Sequence, residues 1–206
     1  MESKTYFDDV ASQWDSMRAG FFSESIREKA FSVLKVETGK LCADIGAGTG
    51  FITEGLIQKG CKVIAVDQSE EMLNQMKKKY SDCMLVDYRQ GDAEKLPLED
   101  GTVDYALANM FLHHVEDPSA AIREMVRILK PEGKIAITDL DEHNFEFLKN
   151  EQHDRWMGFK REEIQNWLVL AGLKNVSVDC AGGDCCTTST CGCNASISIF
   201  LACGEK

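Results

Sequence analysis

The sequence lacks three features that would each indicate a particular class of protein. It has no excess of basic residues, because 34 Asp and Glu outweigh 23 Lys and Arg to give a formal net charge of −11. Since phosphate backbones attract the opposite charge, this balance argues against a nucleic-acid partner. No apolar run approaches the ~20 residues that a membrane-spanning helix needs, and MESKTYFDDV at the start contains no secretory apolar stretch. We therefore expect a cytoplasmic protein without a membrane span.

Cysteine, in contrast, is plentiful, but its count does not favour a disulfide framework. Nine cysteines is an odd number, and the reducing cytoplasm disfavours disulfides. A length of 206 residues suits one domain with a sizeable core. We therefore predict a single domain over residues 1–206, whose oligomeric state does not follow from the sequence.

Residues 41–50, LCADIGAGTG, carry the clearest structural signal. The apolar run 41–45, interrupted only by Asp44, predicts a buried strand. Glycines at 46, 48 and 50 predict a tight turn whose missing side chains let the backbone approach a ligand closely. A helix is predicted to follow at 51–59. Strand, glycine turn and helix together indicate the mononucleotide-binding half of a doubly wound α/β sheet.

Two acidic residues and one aromatic residue bear on which nucleotide this turn binds. The second predicted strand, KVIAVD, ends in Asp67, which can accept hydrogen bonds from the ribose diol of either NAD or S-adenosylmethionine. A dinucleotide site prefers G-x-G-x-x-G, but here Phe51 stands at the third glycine position. Asp44, before the turn, suits a cationic amino-acid ligand better than a pyrophosphate. These residues favour S-adenosylmethionine, with a nicotinamide oxidoreductase as the alternative.

The rest of the chain alternates between predicted strands and helices, which implies parallel pairing with right-handed crossovers. The regions are a helical cap over 1–38, a cofactor-binding core over 39–140 and a polar acceptor lid over 141–159. Further strands are predicted at 84–88, 103–110, 134–140, 173–178 and 195–202, with helices at 70–80, 118–129 and 160–171. The acidic turn GDAEKLP follows the third strand, so Asp92 and the Ala93 amide are placed to contact an adenine at the carboxyl edge of the sheet.

Four motifs together resemble the class I S-adenosylmethionine-dependent methyltransferases. They are DIGAGTG at 44–50, VIAVDQSEEML at 63–73, GDAEKLP at 91–97 and LHHVEDPSAAIREMVRILKPEGKIAITD at 112–139. The resemblance covers roughly residues 5–178. Within the family, the chain is similar to the small-molecule methyltransferases of ubiquinone and menaquinone biosynthesis. It implies a Rossmann-like, seven-stranded, mostly parallel sheet with an antiparallel last strand and helices on both faces. It also implies S-adenosyl-L-methionine as cofactor and a small-molecule acceptor.

The resemblance implies ten cofactor-binding residues, grouped by the part of S-adenosylmethionine that they contact. They are Asp44, Gly46 and Gly48 at the methionyl end, Asp67 at the ribose, Gln68 and Met72 beside the adenine, Asp92 and Ala93 at its edge, and Asn109 and Met110 beneath the methionine moiety.

Methyl transfer is an in-line displacement at the carbon on sulfur, and many acceptors must also lose a proton. The candidate general bases are His113, His114, His143 and His153. We expect His114 to be the base, because the carboxyl end of the fourth strand faces the acceptor pocket. The alternative is that His113 and His114 have only a structural role, in packing or in capping a helix.

Residues 180–193 form a predicted cysteine-rich loop, which departs from the family pattern. In a hairpin of the last two strands this loop projects towards the ligand side of the sheet. Cys185, Cys186, Cys191 and Cys193 could hold a structural Zn²⁺, although their spacing is not the paired C-x2-C of common zinc sites.

Alternatively, the thiolates bind a soft substrate such as trivalent arsenic, or the loop carries free thiols. Arsenite methyltransferases share the fold, but they also resemble one another in a cysteine after strand four, where this chain has Asn109-Met110-Phe111. A protein that senses a cofactor or a thiophilic metal without turnover is a further alternative.

Overall fold

A seven-stranded sheet forms the centre of the computed structural model, which describes residues 3–188, 192 and 194–206. The strand order is β3-β2-β1-β4-β5-β7-β6. The strands are β1 Leu41–Ile45, β2 Lys62–Asp67, β3 Val86–Gln90, β4 Val103–Asn109, β5 Leu129–Leu140, β6 Lys174–Thr188 and β7 Asn194–Glu205. β7 pairs antiparallel with β5 and β6, whereas the pairs among β1 to β5 are parallel. The predicted fold class is confirmed.

Helices cover both faces of this sheet. Three belong to the predicted cap: α1 Ser3–Val10, α2 Trp14–Arg18 and α3 Ser25–Leu34. The others are α4 Phe51–Gln58, α5 Glu70–Lys79, α6 Pro118–Ile128, α7 Phe147–Glu151 and α8 Arg161–Leu170. None of the helices in the described ranges has the length and apolar character to cross a bilayer.

Alternating residues of the central strands supply two separate hydrophobic cores. Ile45 of β1 and Ile64 of β2 pack with α6 and α8 on one face, whereas Cys42 and Val63 pack with α3 and α4 on the other. Because successive side chains in a strand point to opposite faces, a strand buried on both sides needs a nearly continuous apolar run. This requirement explains why β1 and β2 begin and end where the sequence predicts.

The prediction of a loop over 180–193 is wrong for residues 180–188, which continue β6. After a bulge between Cys180 and Asp184, Cys185 pairs with Ile197 and Cys186 with Ser196. Cys185 is buried and its neighbour Cys186 is exposed. The segment pairs with β7 because Cys and Thr tolerate the extended backbone. The adjacent Gly182 and Gly183 permit the bulge.

The predicted four-cysteine metal site stays a prediction. Adjacent strand residues point to opposite faces, and accordingly Cys185 is buried whereas Cys186 is exposed. Cys191 and Cys193 lie outside the described residues.

Candidate functional site

A cavity of about 350 Å³ opens at the carboxyl ends of β1, β2 and β4. This size lies within the range of small-molecule sites, and the edge of the sheet is where open α/β folds bind ligands. Nine of the ten predicted cofactor-binding residues line it: Gly46, Gly48, Asp67, Gln68, Met72, Asp92, Ala93, Asn109 and Met110.

The glycine turn forms the floor of this cavity. Gly46 has φ +66° and Gly48 has φ +53°, a left-handed conformation that side chains disfavour. A Cβ atom on Gly46 would lie 2.1 Å from the Phe111 ring, so only glycine fits there. The amide of Gly46 donates to the carbonyl of Val66, which fixes the turn against β2.

Asp67 lies at the end of β2 and faces the same turn. Its Oδ2 accepts a hydrogen bond from the Gly48 amide at 2.7 Å, and its Oδ1 accepts one from the Ser69 amide at 2.8 Å. Burial raises the pKa of Asp67 to about 6, although these hydrogen bonds oppose the shift. Near neutral pH the carboxylate is therefore ionised and can still accept hydrogen bonds from a ligand through its remaining lone pairs.

Asp44 is the predicted residue that does not line the cavity. Its carboxylate is buried, and Oδ2 accepts hydrogen bonds from the Thr53 amide at 2.9 Å and the Thr53 hydroxyl at 2.7 Å. Burial raises the pKa of Asp44 to about 7. The side chain holds the first turn of α4 against β1, and so supports the glycine turn from below.

The adenine-side and methionine-side residues are held by local hydrogen bonds. Asp92 Oδ1 accepts from the Glu94 amide at 2.9 Å, which shapes the loop after β3. Asn109 Oδ1 accepts from the Thr138 hydroxyl at 2.8 Å. Met110 has φ +50°, an uncommon conformation outside glycine, as the chain turns off the end of β4.

The predicted cap contributes cavity residues that were not among the predicted site residues. Phe7, Trp14 and Arg18 line the cavity from α1 and α2. Asp15 Oδ1 accepts a hydrogen bond from the Thr49 hydroxyl at 2.6 Å, which ties α2 to the glycine turn. α2 has only five residues, too few for a readable hydrophobic period.

Arg18 places a cation at the cavity. Its guanidinium carbon lies 4.5 Å from the centroid of the Phe51 ring, a cation–π distance. The Nε atom is buried without a hydrogen-bond partner, and the ion pairs found within residues 3–188, 192 and 194–206 do not include Arg18. The charge is thus available to an anionic group of a ligand.

Comparisons with known proteins agree with this geometry. Residues 43–137 match the family model of a methyltransferase domain. A demethylmenaquinone methyltransferase from Paenarthrobacter aurescens is 32% identical over 67% of this chain and 54% of its own length. A chloroplastic 2-methyl-6-phytyl-1,4-hydroquinone methyltransferase from Arabidopsis thaliana is 32% identical over 77% of this chain and 48% of its own length. The chain spans about half the length of these curated relatives.

Solved structures share the fold at lower identity. A chain of the complex between the Haloferax volcanii Trm112 methyltransferase activator and a putative methyltransferase has a TM-score of 0.78 and 20% identity, covering 97% of this chain and 96% of that chain. An S-adenosylmethionine-dependent methyltransferase from Aquifex aeolicus has a TM-score of 0.71 and 22% identity, covering 96% and 97%. Residues 43–137 thus match a methyltransferase domain, and the chain has the fold of S-adenosylmethionine-dependent methyltransferases.

A smaller cavity of about 50 Å³ adjoins the large one, and the two share Trp14, Phe22, Met110 and His114. His113, Asp154 and Cys185 also line it. His113 Nδ1 lies 2.6 Å from Asp139 Oδ1. Burial would lower the pKa of His113, but the carboxylates of Asp139 and Asp154 raise it to about 9.

His114, the predicted general base, lies at the junction of the two cavities. Burial and the neighbouring His113 hold the pKa of its imidazole well below the usual range, so the ring is neutral near pH 7. Its Nδ1 atom is buried without a hydrogen-bond partner, and its ring contacts Phe7 at a centroid distance of 4.9 Å. His143 and His153 are absent from the lining of both cavities, as far as the described residues show.

Proposed function

We propose that this methyltransferase transfers the methyl group of S-adenosylmethionine to a small-molecule acceptor of the hydroquinone type. The main support for this proposal is that nine predicted cofactor-binding residues line one cavity at the carboxyl edge of the sheet. The printed names of two relatives, a demethylmenaquinone and a hydroquinone methyltransferase, support a phenolic or quinol acceptor.

In this proposal the nucleoside lies over the carboxyl ends of β2 and β3. The ionised carboxylate of Asp67 accepts hydrogen bonds from the ribose diol, because it already faces the turn that the nucleoside would cross. Asp92 accepts from the adenine amine, and the Ala93 amide donates to the ring. Gln68 and Met72 flank the base.

The methionyl end lies over the glycine turn, above Asn109 and Met110. Its carboxylate would contact Arg18, because the guanidinium faces the cavity without an ion-pair partner among the described residues. The acidic residues Asp67, Asp92 and Glu94 of the same cavity suit the sulfonium and ammonium charges.

The acceptor approaches from the smaller cavity, beside His114. Segment 141–159 is the proposed lid: Asp154 lines the smaller cavity and Arg155 the larger one. The amides of Arg155 and Trp156 donate to the His113 carbonyl, so the lid is tied to the turn after β4.

The chemistry follows from alignment of the two reactants. The acceptor nucleophile attacks the methyl carbon, the carbon–sulfur bond breaks with its electrons going to sulfur, and S-adenosylhomocysteine leaves. Such positioning supplies about 7–11 kcal/mol of a barrier. The neutral His114 would accept a hydrogen bond from the acceptor hydroxyl, and its lowered pKa makes it a weak proton acceptor.

The test is turnover with labelled S-adenosylmethionine across reduced naphthoquinols, hydroquinones, phenols, amines, thiols and arsenite. We expect S-adenosylhomocysteine and a methylated quinol in equal amounts, and neither product with Asp67→Ala. Methylation confined to amines, thiols or arsenite would contradict the acceptor class. Failure to bind S-adenosylmethionine in calorimetry would overturn the activity itself.

A further inference from the structure

The smaller cavity brings together ligand atoms of the kind that bind transition metals. His113, His114 and Asp154 each offer one such atom, and these atoms lie within 4.8 Å of one another. The thiol of Cys185 lines the same cavity from β6. We propose that this cluster binds a divalent transition-metal ion of the Zn²⁺ type beside the methyl-donor cavity.

The first argument is the orientation of His113. Its Nδ1 shares a hydrogen bond with Asp139 Oδ1, and a metal ion would bind Nε2 by replacing the proton that faces Asp154. A carboxylate on the far nitrogen is the usual support of a metal-binding histidine, because it fixes both the tautomer and the ring. Asp139 is itself held by the amides of Leu112 at 2.7 Å and Leu140 at 2.7 Å, so the support is rigid.

The second argument is the spacing of the ligand atoms. His113 Nε2 lies 3.7 Å from Asp154 Oδ1, which is too long for a hydrogen bond. Zinc–nitrogen and zinc–oxygen distances of about 2.0–2.1 Å place two tetrahedral ligands about 3.3 Å apart. A closure of a few tenths of an ångström would therefore place both atoms on one ion.

The third argument is the unsatisfied lone pair of His114. Its Nδ1 atom is buried without a partner, and such a group costs about 1–3 kcal/mol. An ion in the cavity would provide the missing partner. In that state the ion, rather than the ring, contacts the acceptor heteroatom.

The fourth argument is the thiol. β6 turns Cys185 inward, with 7% of its surface exposed, and turns Cys186 outward. Two imidazoles and a carboxylate form a set typical of Zn²⁺ or Co²⁺, and unsuited to Mg²⁺ or Ca²⁺. Cys185 stands outside the group of ligand atoms within 4.8 Å of one another, so in the proposed site its side chain moves towards the ion to become the fourth ligand. This set differs from the four cysteines predicted from the sequence.

The role of the ion rests on the proposed function, although the site itself does not. Four residues line both cavities, so an ion in the smaller one would lie where the acceptor meets the methyl donor. It would bind an oxygen or sulfur atom of the acceptor and orient that atom towards the methyl group.

The experiment uses the full chain with Zn²⁺ or Co²⁺ alone. We expect one equivalent of Zn²⁺ in competition with a chromophoric chelator, and an at least tenfold weaker affinity in Asp154→Asn but not in the surface control Asp82→Asn. The Co²⁺ form should show a thiolate charge-transfer band that is lost in Cys185→Ser and kept in Cys186→Ser.

Absence of stoichiometric binding to the wild-type protein would overturn the site. So would a Co²⁺ thiolate band that is lost in Cys186→Ser and kept in Cys185→Ser. The cysteine pair decides the matter even where Asp154→Asn does not fold. Calorimetry with S-adenosylmethionine on the same preparations separates the two ideas: nucleoside binding without metal refutes only the metal site, and metal binding without nucleoside refutes only the proposed activity.

Discussion

Replacement of Arg18 by Met removes the cation that we assign to the carboxylate of the methionyl group. The Met side chain keeps the apolar contact with the Phe51 ring but loses the guanidinium, which lies 4.5 Å from that ring. Because Arg18 has no ion-pair partner within the described residues, its removal leaves no carboxylate of the protein unpaired. The variant should therefore fold and lose ligand affinity.

The size of the loss follows from the type of contact. Hydrogen bonds to charged groups contribute about 1.5–3 kcal/mol, which corresponds to a roughly 10- to 150-fold rise in Kd. Since Arg18 is only half-buried, we expect the lower part of that range. Calorimetry should show this loss for S-adenosylhomocysteine, and no loss for 5′-methylthioadenosine, which lacks the amino-acid carboxylate.

Arg155→Met is the matched control. Arg155 also lines the cavity, but it lies 3.8 Å from Glu116 and is 47% exposed, so its removal should change either affinity less than threefold. An equal loss for both nucleosides in Arg18→Met would show that the residue only shapes the cap. An unchanged affinity for S-adenosylhomocysteine would refute the assignment.

Three further predictions concern the carboxylates of Asp67, Asp44 and Asp139. Asp67→Asn should weaken nucleoside binding, and wild-type affinity should rise with pH through about 6 as this carboxyl ionises; calorimetry at pH 5 and 7 with equal Kd values would contradict this. The folded-state pKa of Asp44, about 7, lies above its unfolded value of 3.8, so its stabilising contribution is present at low pH and is lost as pH rises through 7. Denaturant titration should show the wild type losing about 3 kcal/mol relative to Asp44→Asn between pH 5 and 8, and a constant difference would refute the burial argument. Asp139→Asn should lower the free energy of unfolding by about 3–5 kcal/mol, and an unchanged thermal midpoint would show that the buried pair with His113 is dispensable.

The sheet and the cofactor edge were predictable because their signals are local. An apolar run followed by glycines at 46, 48 and 50 leaves few conformations other than a buried strand and a tight turn. Asp67 ends such a run, so its place at the ligand edge follows from the strand itself. Asp44 lies within β1 instead, where its orientation depends on the partner that α4 supplies in Thr53.

The missed features depend on contacts between distant segments. β6 extends through Cys185 because β7 pairs with it. A stretch rich in Gly, Cys and Thr has no alternating apolar pattern from which a strand could be predicted. Arg18 enters the cavity only because the cap folds over the glycine turn. Asp154 lies 41 positions after His113 in a polar segment, and only the fold brings the two together.

The most direct test of the central claim is a crystal structure of the protein with S-adenosylhomocysteine. We expect the nucleoside in the large cavity, with both ribose hydroxyls within hydrogen-bond distance of Asp67 and the amino-acid carboxylate at Arg18. A nucleoside bound elsewhere, or a glycine turn left without ligand at saturating concentration, would contradict the account.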